Sequence, residues 1–274
     1  MKAAILQMTS GIDPTANAAT LTMAVRTAAD RGAAMLFTPE MSGLLDKDRV
    51  RAAASIVSEE DDRVLSAVRE AAARSGLWVH LGSLALRGNG DRLVNRGFVI
   101  DGTGAIRARY DKLHLFDVDL ANGESWRESA AYAAGEAAIV VDTPLGALGL
   151  SICYDLRFPD LYRALSDAGA TILSIPAAFT RPTGAAHWHT LLRARAIECA
   201  AFVIAAAQTG RHEDGRETYG HSLAVDPWGE VLGDMREGTG VGFVDVKPAK
   251  VLEVRERIPV IAHRRTIPPV KIAR

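Results

Sequence analysis

The chain has 274 residues, of which 48% are hydrophobic and 24% are charged, so it can bury a sizeable core in one large domain or two small ones. Its 32 Lys and Arg residues nearly balance 33 Asp and Glu residues, and a formal net charge of -1 gives no overall basic field for nucleic acid or an anionic membrane. The longest apolar runs, such as residues 200–207, are far shorter than the roughly 18–20 residues that span a bilayer.

The cysteine count and the N-terminal segment indicate the cellular compartment of the protein. Two cysteines, Cys153 and Cys199, cannot form a disulfide framework or a four-cysteine zinc site, and the segment before Gln7 makes a poor signal peptide. We therefore predict a globular, cytoplasmic protein with one domain over residues 1–274, an extended tail over about 264–274, and no nucleic-acid or membrane partner.

Strand-like apolar runs alternate with helical patterns along most of the chain, which predicts an α/β architecture. The predicted strands cover residues 3–8, 34–37, 77–86, 93–100, 105–110, 147–152, 171–175, 202–206, 222–225 and 230–232. The predicted helices run from Asp13-Pro14 to Gly32, from Ser58 through Ala71, near residues 161–167 and near residues 187–200.

Two turn sequences, Asp101-Gly-Thr-Gly104 and Asp226-Pro-Trp-Gly229, join neighbouring strand-like runs into hairpins. Because these hairpins are mixed with strand–helix units, a purely parallel, doubly wound sheet is disfavoured. Two stacked sheets with helices outside them fit the pattern better.

Cys153 is the first candidate for chemistry. A buried strand is predicted to end there, a helix follows a few residues later, and thiols near a helix N-terminus have a lowered pKa. A lone cysteine is more often a small buried hydrophobe, which is the interpretation we keep for Cys199. The polar residues directly after Cys153 favour a functional thiol at that position.

Three charged residues are further candidates. Glu40 follows a buried strand and Pro39, at the sheet edge where α/β proteins bind ligands, although a strand-end glutamate often simply faces water. Lys112 ends a hairpin strand, where it could stabilise an oxyanion or serve as a solvated edge charge. Glu128, taken alone, is an ordinary loop glutamate.

These residues lie in segments that resemble the motifs of the nitrilase superfamily of carbon–nitrogen hydrolases, and the resemblance continues over essentially the whole chain. The matching segments, in the superfamily's order, are Pro39-Glu40, Tyr110-x-Lys112-x-His-Leu-Phe, Trp126-Arg-Glu128-Ser, Cys153-Tyr-Asp-Leu-Arg-Phe-Pro, Pro176-Ala-Ala-Phe179, Ala186-His-Trp188, Leu192-Arg-Ala-Arg-Ala-Ile-Glu198, Tyr219-Gly-His-Ser222 and Pro227-Trp-Gly229. Thr38 departs from the bulky apolar residue that more often precedes Pro-Glu, which should alter packing beneath Glu40.

The resemblance implies a four-layer α-β-β-α sandwich, a homodimer or higher homo-oligomer, and hydrolysis of an amide without any cofactor. It implies that Cys153 is the nucleophile, that Glu40 is the general base, and that Glu128 orients Lys112 and the incoming water. Lys112 and the backbone N–H of Tyr154 would hold the oxyanion.

The implied substrate is a small amide that bears a carboxylate. Gly210-Arg-His212 and Tyr219-Gly-His-Ser222 look closest to the branch that hydrolyses deaminated glutathione, with the ω-amidase branch beside it. Arg157 could clamp the carboxylate, Arg181 is expected in a loop over the site, and His187 could line the pocket. Both arginines could instead make salt bridges or lie in solvent.

Other functions stay open at this point. An N-carbamoyl amidase or a nitrilase would use the same motifs, and a catalytically silent dimeric scaffold could keep the same fold. A metal site at His187-Trp-His189 is disfavoured, because positions i and i+2 do not share a helix face and the spacing shows no second ligand cluster. We therefore predict no metal.

Overall fold

The computed structural model describes residues 1–88, 90–119, 123 and 125–273. In chain order its elements are β1 (Lys2–Gln7), α1 (Pro14–Asp30), β2 (Met35–Phe37), α2 (Arg49–Ala53), α3 (Arg63–Ser75), β3 (Trp78–Arg87), β4 (Leu93–Ile100), β5 (Ile106–Asp111), β6 (Asp117–Asp119), β7 (Ser125–Arg127), β8 (Val140–Thr143), β9 (Gly146–Leu150), α4 (Pro159–Asp167), β10 (Ile172–Ser174), α5 (Arg181–Cys199), β11 (Phe202–Ala205), β12 (Thr209–Arg211), β13 (Glu217–Tyr219), β14 (Leu223–Val225), β15 (Val231–Asp234), β16 (Gly240–Asp245) and α6 (Ala249–Arg257).

The strands form two six-stranded sheets within these described ranges. The first has the order β16-β1-β2-β3-β4-β5 and the second has the order β15-β14-β11-β10-β9-β8. In each sheet three neighbouring strands are parallel, β1–β2–β3 and β9–β10–β11, and the flanking strands are antiparallel. This mixture explains why strand–helix units and hairpins alternate in the sequence.

Both faces of the first sheet are buried, as β1 shows. Ala3 and Ile5 belong to the core that also contains residues of the second sheet, whereas Ala4 and Leu6 belong to a separate core with helices α1 and α3. Helices α4 and α5 contribute Leu161 and other residues to the core around the second sheet. The layers are therefore helix, sheet, sheet and helix, and the predicted α/β sandwich is confirmed.

Two helix starts differ from the prediction. Helix α3 begins at Arg63 rather than Ser58, because the side chain of Asp62 accepts a hydrogen bond from Leu65 N and caps the helix. Helix α5 begins at Arg181, well before residue 187, with a proline in its first turn, where the missing N–H costs nothing. Arg181 is thus helical, and the prediction that it lies in a loop is wrong.

Several short elements are not foreseen: α2, α6, β6, β7, β8, β12 and β13. The segment Gly238-Thr-Gly-Val-Gly242 enters strand β16, which pairs with β1. After Arg264 the tail has no regular secondary structure up to residue 273, and Arg274 lies outside the described residues. No helix in the described part of the chain has both the length and the apolar character that crossing a membrane requires.

A buried histidine joins the two sheets. His80 on β3 is only 1% exposed, and its Nδ1 lies 2.9 Å from Oγ of Ser174 on β10. Burial lowers the pKa of His80 to about 3. The imidazole is therefore neutral in the folded protein at any moderately acidic pH.

This histidine should make stability depend on pH. Below about pH 6.5 His80 is protonated in the unfolded chain but stays neutral in the folded protein. The free energy of unfolding should therefore fall as the pH falls from about 6.5 towards 3. One such group contributes a slope of about 1.4 kcal/mol per pH unit. Urea unfolding between pH 5 and 6.5 measures how the free energy of unfolding changes with pH, and this slope should differ between the parent and His80→Gln by about that amount. The exposed control His263→Gln should have the slope of the parent. Equal slopes for the parent and His80→Gln would contradict this account.

Candidate active site

Three chain segments bring the predicted residues together. Glu40 follows β2 and Lys112 follows β5, and since β5 runs in the same direction as β2, both strands end at the same edge of the first sheet. Cys153 follows β9 in the facing second sheet. The site therefore forms where the ends of strands from both sheets meet.

The side chain of Lys112 is buried between two carboxylates. Its Nζ lies 2.9 Å from Glu40 Oε1 and 2.9 Å from Glu128 Oε2, and the three side chains are 3%, 6% and 12% exposed. Burial alone would lower the pKa of Lys112, but the charges of Glu128 and Glu40 raise it well above its usual value. The lysine is thus held as an ammonium.

Neutral donors complete the pairing of the two carboxylates. Asn95 Nδ2 donates to Glu40 Oε1 at 3.0 Å and to Glu128 Oε1 at 3.3 Å. The backbone N–H of Ala178 donates to Glu40 Oε2, and that of Phe116 donates to Glu128 Oε2. Each glutamate is therefore fixed by several hydrogen bonds as well as by the lysine.

Sequence reasoning missed Asn95 and Ala178. Asn95 lies in the middle of strand β4, and only the register of the sheet shows that it faces Glu40. Its Oδ1 is buried with no hydrogen-bond partner among the described residues. A polar residue at a position predicted to be buried within a strand is the one sequence signal that could have marked it.

Cys153 lies on a sharp turn with a left-handed backbone, φ +50°. Its N–H donates to Pro176 O at 2.8 Å, and the residue is 8% exposed. Burial and the neighbouring carboxylate of Glu40 raise the pKa of the thiol well above its usual value, although Lys112 acts in the opposite direction. The expectation of a lowered thiol pKa is therefore wrong, because desolvation and a carboxylate outweigh the lysine and the helix start.

Asp155 connects the cysteine turn to the lysine segment. It is fully buried, and its Oδ2 accepts hydrogen bonds from Ile152 N at 2.8 Å and from the Tyr110 hydroxyl at 2.7 Å. Its Oδ1 accepts from the backbone N–H of His114 at 2.9 Å and lies 2.7 Å from that ring's Nδ1. Since Tyr110 and His114 flank Lys112, one carboxylate positions the turn of Cys153 relative to the ammonium.

The packing beneath Glu40 follows from Thr38. Its buried hydroxyl accepts a hydrogen bond from Gly82 N at 3.0 Å and another from Ser42 Oγ at 3.3 Å. A Cβ on Gly82 would overlap the carbonyl oxygens of Thr38 and Pro39, so only glycine lets β3 approach the glutamate turn this closely. The polar Thr38 is thus accommodated by hydrogen bonds where an apolar residue would pack.

The remaining predicted residues lie around this centre. Tyr154 follows Cys153, and its ring makes an edge contact with Phe116. The guanidinium of Arg157 lies 5.3 Å from the ring centre of Phe179 and 3.2 Å from His187 Nδ1. The oxygens of Asp155 bind Tyr110 and His114 rather than Arg157. Arg157 makes no salt bridge among the described residues.

Arg181 is directed elsewhere. Its Nη2 lies 2.8 Å from Glu237 Oε1 in a half-exposed ion pair on the surface. It therefore already has an anionic partner, which Arg157 lacks among the described residues.

A second cluster lies outside this centre. Ligand atoms of His189, His221 and Asp234 all lie within 4.8 Å of one another. Sequence spacing does not reveal this cluster, because its three members come from separate segments of the chain.

Comparison with known families decides the class of this site. The family described as Carbon-nitrogen hydrolase matches residues 2–256. The chain belongs to this family. The predicted resemblance to the nitrilase superfamily is confirmed, and the protein is a hydrolase of carbon–nitrogen bonds in non-peptide amides.

Individual relatives agree with this assignment. The deaminated glutathione amidase of Yersinia enterocolitica is 39% identical over 267 residues, which are 96% of this chain and 93% of that protein. The crystal structure of the C. elegans NitFhit protein has a TM-score of 0.90 and 40% identity, covering 96% of this chain and 65% of that chain. A mutant amidase of Nesterenkonia sp. AN1, with acrylamide added at its active-site cysteine, has a TM-score of 0.78 and 27% identity over 94% of this chain and 98% of that chain.

The buried ion pairs of Lys112 should contribute to the stability of the fold. Lys112→Met should destabilise the fold by about 3–5 kcal/mol near neutral pH, because two buried carboxylates lose the cation between them. Urea unfolding near neutral pH measures this loss.

A surface lysine provides the matched control. Lys250 pairs with Glu253 at 3.6 Å on α6, and Lys250→Met should cost less than about 1 kcal/mol. Equal losses for the two variants would show that the buried charges are not coupled as described.

Proposed function

We propose that this protein is a thiol-dependent amidase that releases ammonia from a small carboxylate-bearing amide through a cysteine thioester. The observation that carries the proposal is the buried Lys112 ammonium between Glu40 and Glu128, beside a thiol whose pKa is raised. A scaffold has no physical use for such a costly charge cluster. We propose that residues 1–274 form one domain of this hydrolase.

The first half of the reaction makes the thioester. The raised pKa keeps the Cys153 thiol protonated before substrate binds, so a base has to take the proton as sulfur attacks the carbonyl carbon. Glu40 is that base. The Lys112 ammonium and the backbone N–H of Tyr154 stabilise the tetrahedral oxyanion. Protonated Glu40 then gives its proton to the leaving nitrogen, the C–N bond breaks, and ammonia departs.

The second half of the reaction hydrolyses the thioester. Glu40 takes a proton from water as the water oxygen attacks the thioester carbonyl. The C–S bond breaks, and the proton returns from Glu40 to sulfur, so the enzyme is regenerated. Glu128 orients Lys112 and the water. Asn95 Oδ1, which has no partner among the described residues, offers an acceptor for an N–H or O–H group in the site.

We propose deaminated glutathione, or an amide of similar size and charge, as the substrate. The curated relative in Yersinia enterocolitica is named for deaminated glutathione, which favours this substrate over those of the alternative branches. Arg157 is the candidate for binding the substrate carboxylate, with His187 beside it. The guanidinium of Arg157 lies over the ring of Phe179, and Phe179 follows Ala178, whose N–H donates to Glu40. Arg181 is a weaker candidate because Glu237 already pairs with it.

We further propose that the enzyme is a cytoplasmic homodimer. Ile197 lies beside Gly229, the residue after Trp228. The side chains of Ile197 and Trp228 are 49% and 52% exposed, and such apolar surface suits contact with a second copy. Sedimentation equilibrium measures the oligomeric state directly.

Ammonia release tests both the reaction and the substrate. A panel of deaminated glutathione, α-ketoglutaramate, N-carbamoyl amino acids and simple nitriles should give the highest kcat/KM with deaminated glutathione. Cys153→Ala should abolish turnover, and Lys112→Ala should lower kcat by about 100- to 1000-fold because an oxyanion donor is lost.

Cys199→Ala is the matched control, since Cys199 is buried in the core at the end of α5 and donates to Tyr162 O. It should keep near-parental turnover. Near-parental turnover in Cys153→Ala or Lys112→Ala would end the scheme, and no turnover of any panel member by the parent would favour the silent scaffold.

The role of Arg157 is tested separately. Arg157→Lys should raise KM for an acidic amide by about tenfold, which corresponds to about 1.4 kcal/mol, because lysine cannot bind a carboxylate through two parallel hydrogen bonds. KM for a neutral amide of the same length should change little. Arg181→Lys should leave both values near the parental ones; the opposite ranking of the two variants would assign the carboxylate to Arg181.

A further inference from the structure

A group of three metal-ligating side chains lies apart from the catalytic residues. His189 is on helix α5, His221 lies between β13 and β14, and Asp234 is the last residue of β15. His189 Nε2 is 3.0 Å from Asp234 Oδ2, and His221 Nδ1 is 3.0 Å from both oxygens of Asp234. The mechanism above uses none of the three.

Their spacing suits a small divalent ion. Metal–nitrogen and metal–oxygen bonds of about 2.0–2.2 Å place neighbouring ligand atoms of a tetrahedral ion about 3.3 Å apart. The two nitrogens lie at hydrogen-bond distance, 3.0 Å, from the carboxylate, and all the ligand atoms lie within 4.8 Å of one another. Small side-chain shifts that replace these hydrogen bonds would bring the three groups to one ion. The imidazoles would bind through these nitrogens as neutral rings, with the proton on the other nitrogen.

The surroundings hold the ligands in place and leave access from solvent. The Tyr219 ring stacks on His221 with centroids 4.5 Å apart, and the backbone N–H of Arg236 donates to Asp234 Oδ1. The side chains of His189, His221 and Asp234 are 36%, 17% and 25% exposed. One face of the cluster is therefore open to a water ligand.

We propose that His189, His221 and Asp234 form a binding site for one divalent transition-metal ion of the zinc class. Two imidazoles and one carboxylate with an open fourth position are a donor set that suits Zn²⁺, whereas Mg²⁺ and Ca²⁺ prefer oxygen ligands. The proposal goes beyond the amidase function and does not depend on it.

The bound ion would stabilise the wall of the active site. Trp188 Nε1 donates to His221 O at 2.8 Å, and the Trp188 ring packs on Phe179 with centroids 4.8 Å apart. Phe179 directly follows Ala178, whose N–H holds Glu40. A metal that joins α5 to the segment around His221 therefore restrains the residues that support the catalytic glutamate.

The experiment uses untagged, chelator-treated protein in the Cys153→Ala background, so that the catalytic thiol cannot bind the ion. Calorimetric titration with Zn²⁺ should show saturable binding of one ion per chain, and the thermal unfolding temperature should rise by a few degrees at saturation. His189→Gln and Asp234→Asn should each weaken binding by at least about 10- to 100-fold. His221→Asn tests the third ligand and tolerates the left-handed backbone at φ +56°.

His187→Gln is the matched control, because it removes a histidine from the same helix whose Nδ1 faces Arg157 instead. It should bind Zn²⁺ as tightly as the background protein. Where a ligand variant does not fold, ring-proton NMR of the background protein decides: Zn²⁺ should shift the resonances of His189 and His221 but not His187. No saturable binding, or equal binding in the three ligand variants, overturns the proposal.

Discussion

The pairing of one buried ammonium with two buried carboxylates is the constraint on which the rest of the structure depends. An isolated charge in this position would cost several kcal/mol, so Lys112, Glu40 and Glu128 are tolerated only when they meet. They come from three separate segments of the first half of the chain. The sheet register that aligns β2 with β5 is thus a condition for stability as well as for chemistry.

The second sheet contributes the thiol of Cys153 and part of the support for Glu40. Ala178 N–H reaches Glu40 from that side, and Asp155 ties the turn at Cys153 to the segment of Lys112. The distance between Cys153 and Glu40 therefore depends directly on the relative position of the two sheets. A fixed intersheet core, including the contact of His80 with Ser174, keeps Cys153 and Glu40 in one geometry.

The sequence predicts the layers and the charged centre well, for physical reasons. Long apolar runs indicate buried strands, and glycine-rich turns indicate hairpins. The motifs around Glu40, Lys112 and Cys153, taken together and in their order, are specific for one superfamily. The positions of Asn95, Ala178 and the cluster around Asp234 could not be predicted, because they depend on register and on contacts between elements distant in the chain. The thiol pKa could not be predicted either, since it is decided by burial and by the placement of one carboxylate.

The return of the chain to the first sheet has a consequence for handling the protein. Strand β16 pairs along the full length of β1, whose alternate residues are buried on both faces. If β16 were cut away, β1 would present an open row of backbone donors and acceptors flanked by apolar side chains, which is a template for intermolecular pairing. Proteolysis that reaches residues 240–245 should therefore lead to precipitation rather than to a smaller soluble product.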